Sequence, residues 1–315
     1  MNLRPFVREP SVLPENRKRV HVSMIFAISH GPMLSSVDTA DPAAVEAEVQ
    51  AVYQRLFRDK GVEFVRRAFR WALSCFSGNH AGYLPIDAGY HDLEHTMQGT
   101  LCLARLFEGR DRSGVLPRID QSVFDLSLIA ILFHDMGYLK TSDDVQGTGA
   151  KYTLIHVDRS VEFVGRFLRK EGFEPGQILS VQQMIRCTGV NVNIEEIPFQ
   201  NDLIRLAGFA LGTADLVGQM AASDYPDKLP ILFEEFVEAA EFNGGWTANF
   251  GPFESAIHLM SQTNDFYSKY VKPKLDGKLG GLHRFLADSY PDGRNEYMES
   301  IDRNLHRVKE IVAAG

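Results

Sequence analysis

The sequence predicts an all-α fold, a multi-helix bundle. Apolar residues recur at intervals of three and four through most of the chain beyond residue 40, the period of helices with one buried face. The most apolar run, residues 122–138, is too long for an ordinary strand. Strand and helix signals do not alternate as a βαβ unit requires, and there is no internal repeat. With 315 residues, 44% hydrophobic and 23% charged, the chain has ample material for a core.

Residues 1–40 carry Pro5, Pro10, Pro14, Gly31 and Pro32 without a steady period, which predicts an irregular arm. Asp41 and Pro42 then supply an N-cap and a first-turn proline for a helix over 44–58. Val62, Val65, Phe69, Ala72, Leu73 and Phe76 space a second over 62–76, and 78–89 reads as loop. A helix over 91–108 buries Leu93, Met97, Leu101, Leu103, Leu106 and Phe107, and a charged connector follows over 109–117. Residues 122–138 form a buried helix and 141–149 a polar loop. Val157, Val161, Phe163, Val164, Phe167 and Leu168 turn inward from a helix over 152–171 that Gly172 ends. Further helices are predicted over 178–187, 200–222, 229–242 (with Pro230 in its first turn), 253–270 and 295–314. The expected organisation is an arm over 1–40 and a single all-α domain over 41–315, with its centre at about 90–220 and C-terminal helices over 229–315.

The net charge of -8 is spread without long like-charge runs, which argues against binding to nucleic-acid polymers. A small anionic substrate would need local cations, most simply a metal. Cys75, Cys102 and Cys187 are odd in number and form no CxxC pair, so neither a disulfide framework nor a thiolate zinc site is expected. Free thiols fit a reducing cytoplasm. Arg17-Lys18-Arg19 and the residues after them have the outline of a secretory signal, but His21, His30, Gly31 and Pro32 interrupt it, and a cytoplasmic protein is expected. No apolar run reaches membrane-spanning length. A homo-oligomer is compatible with the sequence.

Three fragments place metal-ligating side chains inside apolar sequence: Tyr90-His91-Asp92-Leu93-Glu94-His95, Ile131-Leu132-Phe133-His134-Asp135 and Gly212-Thr213-Ala214-Asp215-Leu216. Buried His and Asp lose water, and a divalent cation offsets the loss. Imidazole with carboxylate suits Zn, Mn, Mg, Fe or Ni alike. His91 and His95, four apart, share a face if both are helical; alone, such a pair also suits a solvent-facing helix start. A helix-terminal His134 would suit the macrodipole, but Asp135 has the wrong sign there. Asp215 has no basic residue three or four positions away, so any partner must be tertiary. Together the fragments read as one metal site built from three helices.

The order H…HD…D resembles the HD superfamily of metal-dependent phosphohydrolases. Residues 90–96 are similar to the YHNxxHxxxV signature of cyclic-nucleotide phosphodiesterases and their bacterial relatives, with Asp92 for Asn and Gly99 for Val. The resemblance covers residues 90–219. It implies His95, His134, Asp135 and Asp215 as metal ligands. It implies catalytic roles for His91, which protonates the leaving group, and for Asp135, which bridges to a second metal. His156 stands where two-metal relatives carry another ligand, though a surface-helix histidine is an equal reading. Residues 184–191 are similar to an IxxTxxH stretch, with Asn191 in place of the His.

The implied cofactor is one or two divalent metal ions, and the implied activity is hydrolysis of a small phosphoester by metal-activated water. A cyclic nucleotide, a nucleotide monophosphate or another phosphoester would fit. Lys151, in a glycine-containing segment that lacks the GxxxxGK[ST] spacing, is a candidate phosphate contact beside Arg186. Gln219, one turn beyond Asp215, is a candidate for orienting ligand or substrate. Two other classes stay open: an HD-fold iron oxygenase or lyase, which calls for more histidine ligands, and a non-catalytic regulatory protein with a degenerate site.

Overall fold

The computed structural model describes residues 37–58, 61–190, 192–245 and 252–314. Ten α-helices account for most of them: α1 Pro42–Leu56, α2 Glu63–Phe76, α3 Leu93–Ser113, α4 Gln121–Phe133, α5 His156–Lys170, α6 Pro175–Ile185, α7 Asp202–Ala221, α8 Tyr225–Phe242, α9 Ala256–Phe266 and α10 Glu296–Ala314. Among the described residues there is no strand, only one isolated antiparallel bridge between Tyr83 and Thr141. The all-α class is therefore as predicted. The expected irregular arm lies outside the described residues except for 37–40, which turn into the Asp41 N-cap. No helix among the described residues is long and apolar enough to cross a membrane.

α3 and α7 form the central pair. A Cβ at Gly218 would lie 2.9 Å from the Gln98 carbonyl oxygen and 3.0 Å from the Gly99 Cα, so the two backbones approach as closely as a missing side chain allows. Around this pair pack α1 against α3, α4 and α6 against α7, α5 against α6, and α10 against α7. α8 and α9 pack on each other, with α10 beside both. Cys75, Cys102 and Cys187 are buried free thiols. Burial pushes Cys75 and Cys187 up to about 12, which excludes them as poised nucleophiles.

Several helix ends differ from the predicted ones, two of them, α3 and α9, because a side-chain cap and not the apolar period sets the start. Asp92 caps α3 by accepting from the His95 N–H at 2.8 Å, so α3 starts at Leu93 and not at 91. The run predicted as one helix over 122–138 stops at Phe133 and resumes as a 3-10 turn, Met136–Tyr138. Helix α5 starts at His156, after a separate 3-10 turn Gly149–Tyr152. Helix α8 starts four residues early, at Tyr225, with Pro226 in its first turn, which leaves Pro230 in the helix interior. The helix predicted over 253–270 begins at Ala256 with Ser255 as N-cap and widens after Phe266 into π-helical turns.

One carboxyl is placed against the apolar grain. Asp125 sits on α4, its Oδ1 buried without a hydrogen-bond partner. Burial pushes its pKa up to about 7, against the opposing pull of Tyr53, Arg67 and Gln121. In an unfolded chain an aspartate titrates near ~3.9. The fold therefore favours the protonated form, and stability falls as pH rises between those two values. Asp125→Asn is expected to raise the melting temperature at pH 8 and to change it little at pH 4, as differential scanning calorimetry would show.

Candidate metal centre

The site is assembled at the break between α4 and the following 3-10 turn. His134 ends α4, and its Nδ1 lies 2.7 Å from the Ile131 carbonyl oxygen. A carbonyl only accepts, so Nδ1 carries a proton, and in the neutral ring Nε2 keeps its lone pair. The turn that presents Asp135 is held from behind by α5. Arg159 donates to the carbonyls of Gly137 and Leu139 at 2.7 and 2.6 Å, and the Gly137 N–H donates to Ser160 Oγ at 2.7 Å. A Cβ at residue 137 would sit 1.9 Å from the His156 carbonyl oxygen. That close approach brings the start of α5 beside the His-Asp pair.

The structure brings His95, His134, Asp135 and Asp215 together. His95 Nε2 lies 3.3 Å from Asp135 Oδ2 and 3.3 Å from Asp215 Oδ1. His134 Nε2 lies 3.2 Å from Asp135 Oδ2 and 3.4 Å from Asp215 Oδ1. Neither His134 Nε2 nor Asp135 Oδ2 makes a hydrogen bond, although both are fully buried. Donors bound ~2.1 Å from one cation lie about 3.0–3.4 Å apart in octahedral and tetrahedral shells, so these spacings fit a common ion. The buried group His95, His134 and Asp135 could hold a metal, with Asp215 adjoining it.

The electrostatics point the same way. Burial alone would raise both carboxyls, but His134 and His95 outweigh it and hold Asp135 and Asp215 well below the usual carboxylate range. Burial alone would lower the imidazoles, yet the two carboxylates push His95 up to about 10 and His134 upward. Two buried carboxylates thus demand positive charge, which either imidazolium or a cation can supply.

His156 stands at the edge of this group, with Nε2 3.8 Å from Asp135 Oδ1. Its Nδ1 is 2.6 Å from the Thr153 carbonyl, and burial lowers its pKa against the pull of Asp135. Asn191 lies outside the described residues. His91 precedes the N-cap and is not on α3, contrary to the shared-face expectation, although its ring still lies 5.5 Å from that of His95. Its Nδ1 is 2.6 Å from Glu235 Oε2.

Glu235 was not among the sequence candidates. It is 4% exposed and also accepts from the Tyr90 and His91 N–H groups at 2.7 and 3.3 Å. Against its burial, His91 and those N–H groups lower its pKa. Its position in Glu234-Glu235-Phe236 gave no signal, because either glutamate could have faced solvent. Tyr138 was also missed. Its ring stacks on His91 at 4.6 Å and on His156 at 4.9 Å, and its buried hydroxyl makes no hydrogen bond.

Two of the remaining candidates, Lys151 and Arg186, are placed differently from expectation. Lys151 is buried, and its ammonium is engaged by Asp144 and the Gln146 carbonyl. Arg186 pairs with Asp158 at 2.8 Å on the surface. Neither lines the cavity over the metal group. In each case a local acidic partner captures the cation that sequence alone left unassigned. Gln219 lines the cavity, donates to the Asp215 carbonyl at 3.0 Å and to its Oδ1 at 3.4 Å, and accepts from the Tyr90 hydroxyl at 2.8 Å. It therefore holds the Asp215 segment in place. Asp92, where the signature has Asn, pairs with Lys228 at 2.9 Å while capping α3.

Residues 141–288 match a family model described as Npun_R2479-like. That span, just under half of the chain, contains His156, Asp215 and Glu235. No curated protein matches the chain.

Alanine at position 137 would drive the His-Asp turn and α5 apart. Gly137→Ala is expected to cost at least ~2–3 kcal/mol and to lower the melting temperature by roughly 5 °C or more. Gly61→Ala, where a Cβ meets nothing within 4 Å, is the control that should leave it unchanged.

Proposed function

We propose that this protein is a metal-dependent hydrolase of a small phosphoester. The observation that carries the reading is the buried quartet of His95, His134, Asp135 and Asp215, whose four His–Asp spacings are 3.2–3.4 Å, beside a histidine held by a carboxylate. The resemblance of the ordered ligands to the HD superfamily supports it. These four residues would hold the cation, and His156, beside the second oxygen of Asp135, is the residue available to a second one. A divalent cation bound there supplies Lewis acidity toward a phosphoryl oxygen and toward water.

The chain's own groups supply the proton chemistry. Glu235 accepts at His91 Nδ1, which orients the ring and leaves Nε2 as the atom open to the cavity that His91 lines. A proton held at Nε2 is available to a leaving-group oxygen. The stacked ring of Tyr138 keeps the imidazole from rotating.

Two results would test this proposal. The purified protein should hold at least one divalent cation per chain by elemental analysis, and His95→Ala or Asp215→Asn should each lose it together with activity. An apo-like metal content in the parent protein, across zinc, manganese and iron supplementation, would sink the proposal.

His91→Ala should retain the metal and slow turnover by about 10²–10⁴-fold on esters with poor leaving groups. The loss should be smaller on p-nitrophenyl esters, whose leaving group needs little protonation. Glu235→Gln should follow the same trend more weakly. Steady-state kinetics on matched ester pairs checks both, and equal losses on both leaving groups would remove His91 as the acid.

A further inference from the structure

The cavity above the metal group, about 250 Å³, has a second half that the proposed chemistry does not use. Its wall is built by Leu216 of α7, Leu229, Leu232 and Phe236 of α8, and Leu259 and Phe266 of α9. Among the described residues that line it there is no Lys or Arg.

Three threonines and Gln219 on the wall are already engaged. The hydroxyls of Thr153, Thr188 and Thr263 donate to the carbonyls of Ala150, Ile185 and Leu259 at 2.6, 2.9 and 3.3 Å. The amide of Gln219 is closed at both ends by Asp215 and Tyr90. The hydrogen-bonding capacity that remains is on His91 at the floor and on Gln262 and Tyr225 of the wall.

Such a wall serves a nucleotide poorly. Ribose hydroxyls and a base edge would lose water and find few partners. A second phosphate would meet no side-chain cation. Hydrocarbon, by contrast, gains from every group that leaves water. Charge narrows the class further. With no Lys or Arg among the described lining residues, a phosphomonoester, close to two negative charges at neutral pH, brings a charge that no side-chain cation of the wall meets, whereas a diester brings one charge.

We infer that the substrate of this site is a lipophilic phosphodiester, with its single charge at the His-Asp floor and a hydrocarbon body along α7, α8 and α9. The inference rests on the phosphoester reading above but concerns the half of the cavity that chemistry leaves untouched. Hydrolysis breaks one P–O bond, and the water oxygen ends on phosphorus. The leaving oxygen takes a proton, giving a phosphomonoester and an alcohol with no oxidant or reductant. The product carries more negative charge than the substrate.

The test uses the full-length, metal-loaded protein and the alkyl p-nitrophenyl phosphates from methyl to octyl. Here kcat/KM should rise about 3–4-fold per methylene until the wall is covered. Thymidine 5′-p-nitrophenyl phosphate and p-nitrophenyl phosphate should be poorer than the butyl ester. A second measurement needs no turnover: by calorimetry, the methyl ester of hexylphosphonate should bind at least tenfold tighter than that of methylphosphonate. Leu232→Lys should flatten the chain-length series and improve p-nitrophenyl phosphate, with metal content unchanged. If that variant does not fold, the parent series and the calorimetry still decide.

Turnover with a flat or inverted chain-length series would overturn the inference and leave the hydrolase reading standing. Graded phosphonate binding without turnover of any ester would support the apolar subsite and overturn the hydrolase reading. Neither binding nor turnover would overturn both.

Discussion

The structure depends on one electrostatic demand, the presence of two carboxylates, Asp135 and Asp215, in the protein interior. Neither has a lysine or arginine beside it in the cavity they line. Charges buried in this way are tolerated only with positive charge at contact distance, and His95 and His134 are placed to provide it or to share a cation with them. The imidazoles near them are oriented by acceptors on their far sides. Ile131 O anchors His134, Thr153 O anchors His156 and Glu235 anchors His91, each through Nδ1. In each ring the other nitrogen is left for the site, and the second layer of contacts thereby sets how the first one acts.

The backbone meets that demand through two close approaches. Gly218 lets α7 lie against α3 at backbone distance, which puts Asp215 beside His95. Gly137 lets the turn after α4 lie against the first residue of α5, which puts His156 beside Asp135. Arg159 and Ser160 take up polar backbone groups of the turn at Gly137 and Leu139. The four central ligand candidates thus rest on packed helices and a pinned turn, a setting that favours fixed geometry. The apolar wall comes largely from α8 and α9, separate elements that contribute none of those four. On the proposed reading, the four metal ligands and most of the apolar wall are carried by different elements.

The resemblance to the HD superfamily and the Npun_R2479-like match fall on overlapping parts of the chain. The matched span begins after the His-Asp pair and includes α7 and α8. It takes in Asp215 and Glu235 from the site and most of the apolar wall. The ordered histidines that carry the resemblance stand before it, so the two comparisons draw on largely different residues.

The sequence by itself determined the helical class, because apolar period survives any rearrangement of helices. It also determined the central ligand candidates, because His134, Asp135 and Asp215 are charged or chargeable residues inside apolar runs, where burial without a partner is costly. It could not place the start of α3, since capping by Asp92 is a matter of backbone geometry that removes His91 from the helix while leaving it beside His95. Lys151 and Arg186 looked available in sequence because Asp144 and Asp158 are not at a spacing that announces a pair. Glu235 lies 144 residues from His91, and Tyr138 gains its place between two histidines only when α5 folds back. Which residues can be buried is written in local chemistry. Which of them meet is decided by the tertiary structure, because contact across such separations depends on how the helices pack and not on any periodic feature of the chain.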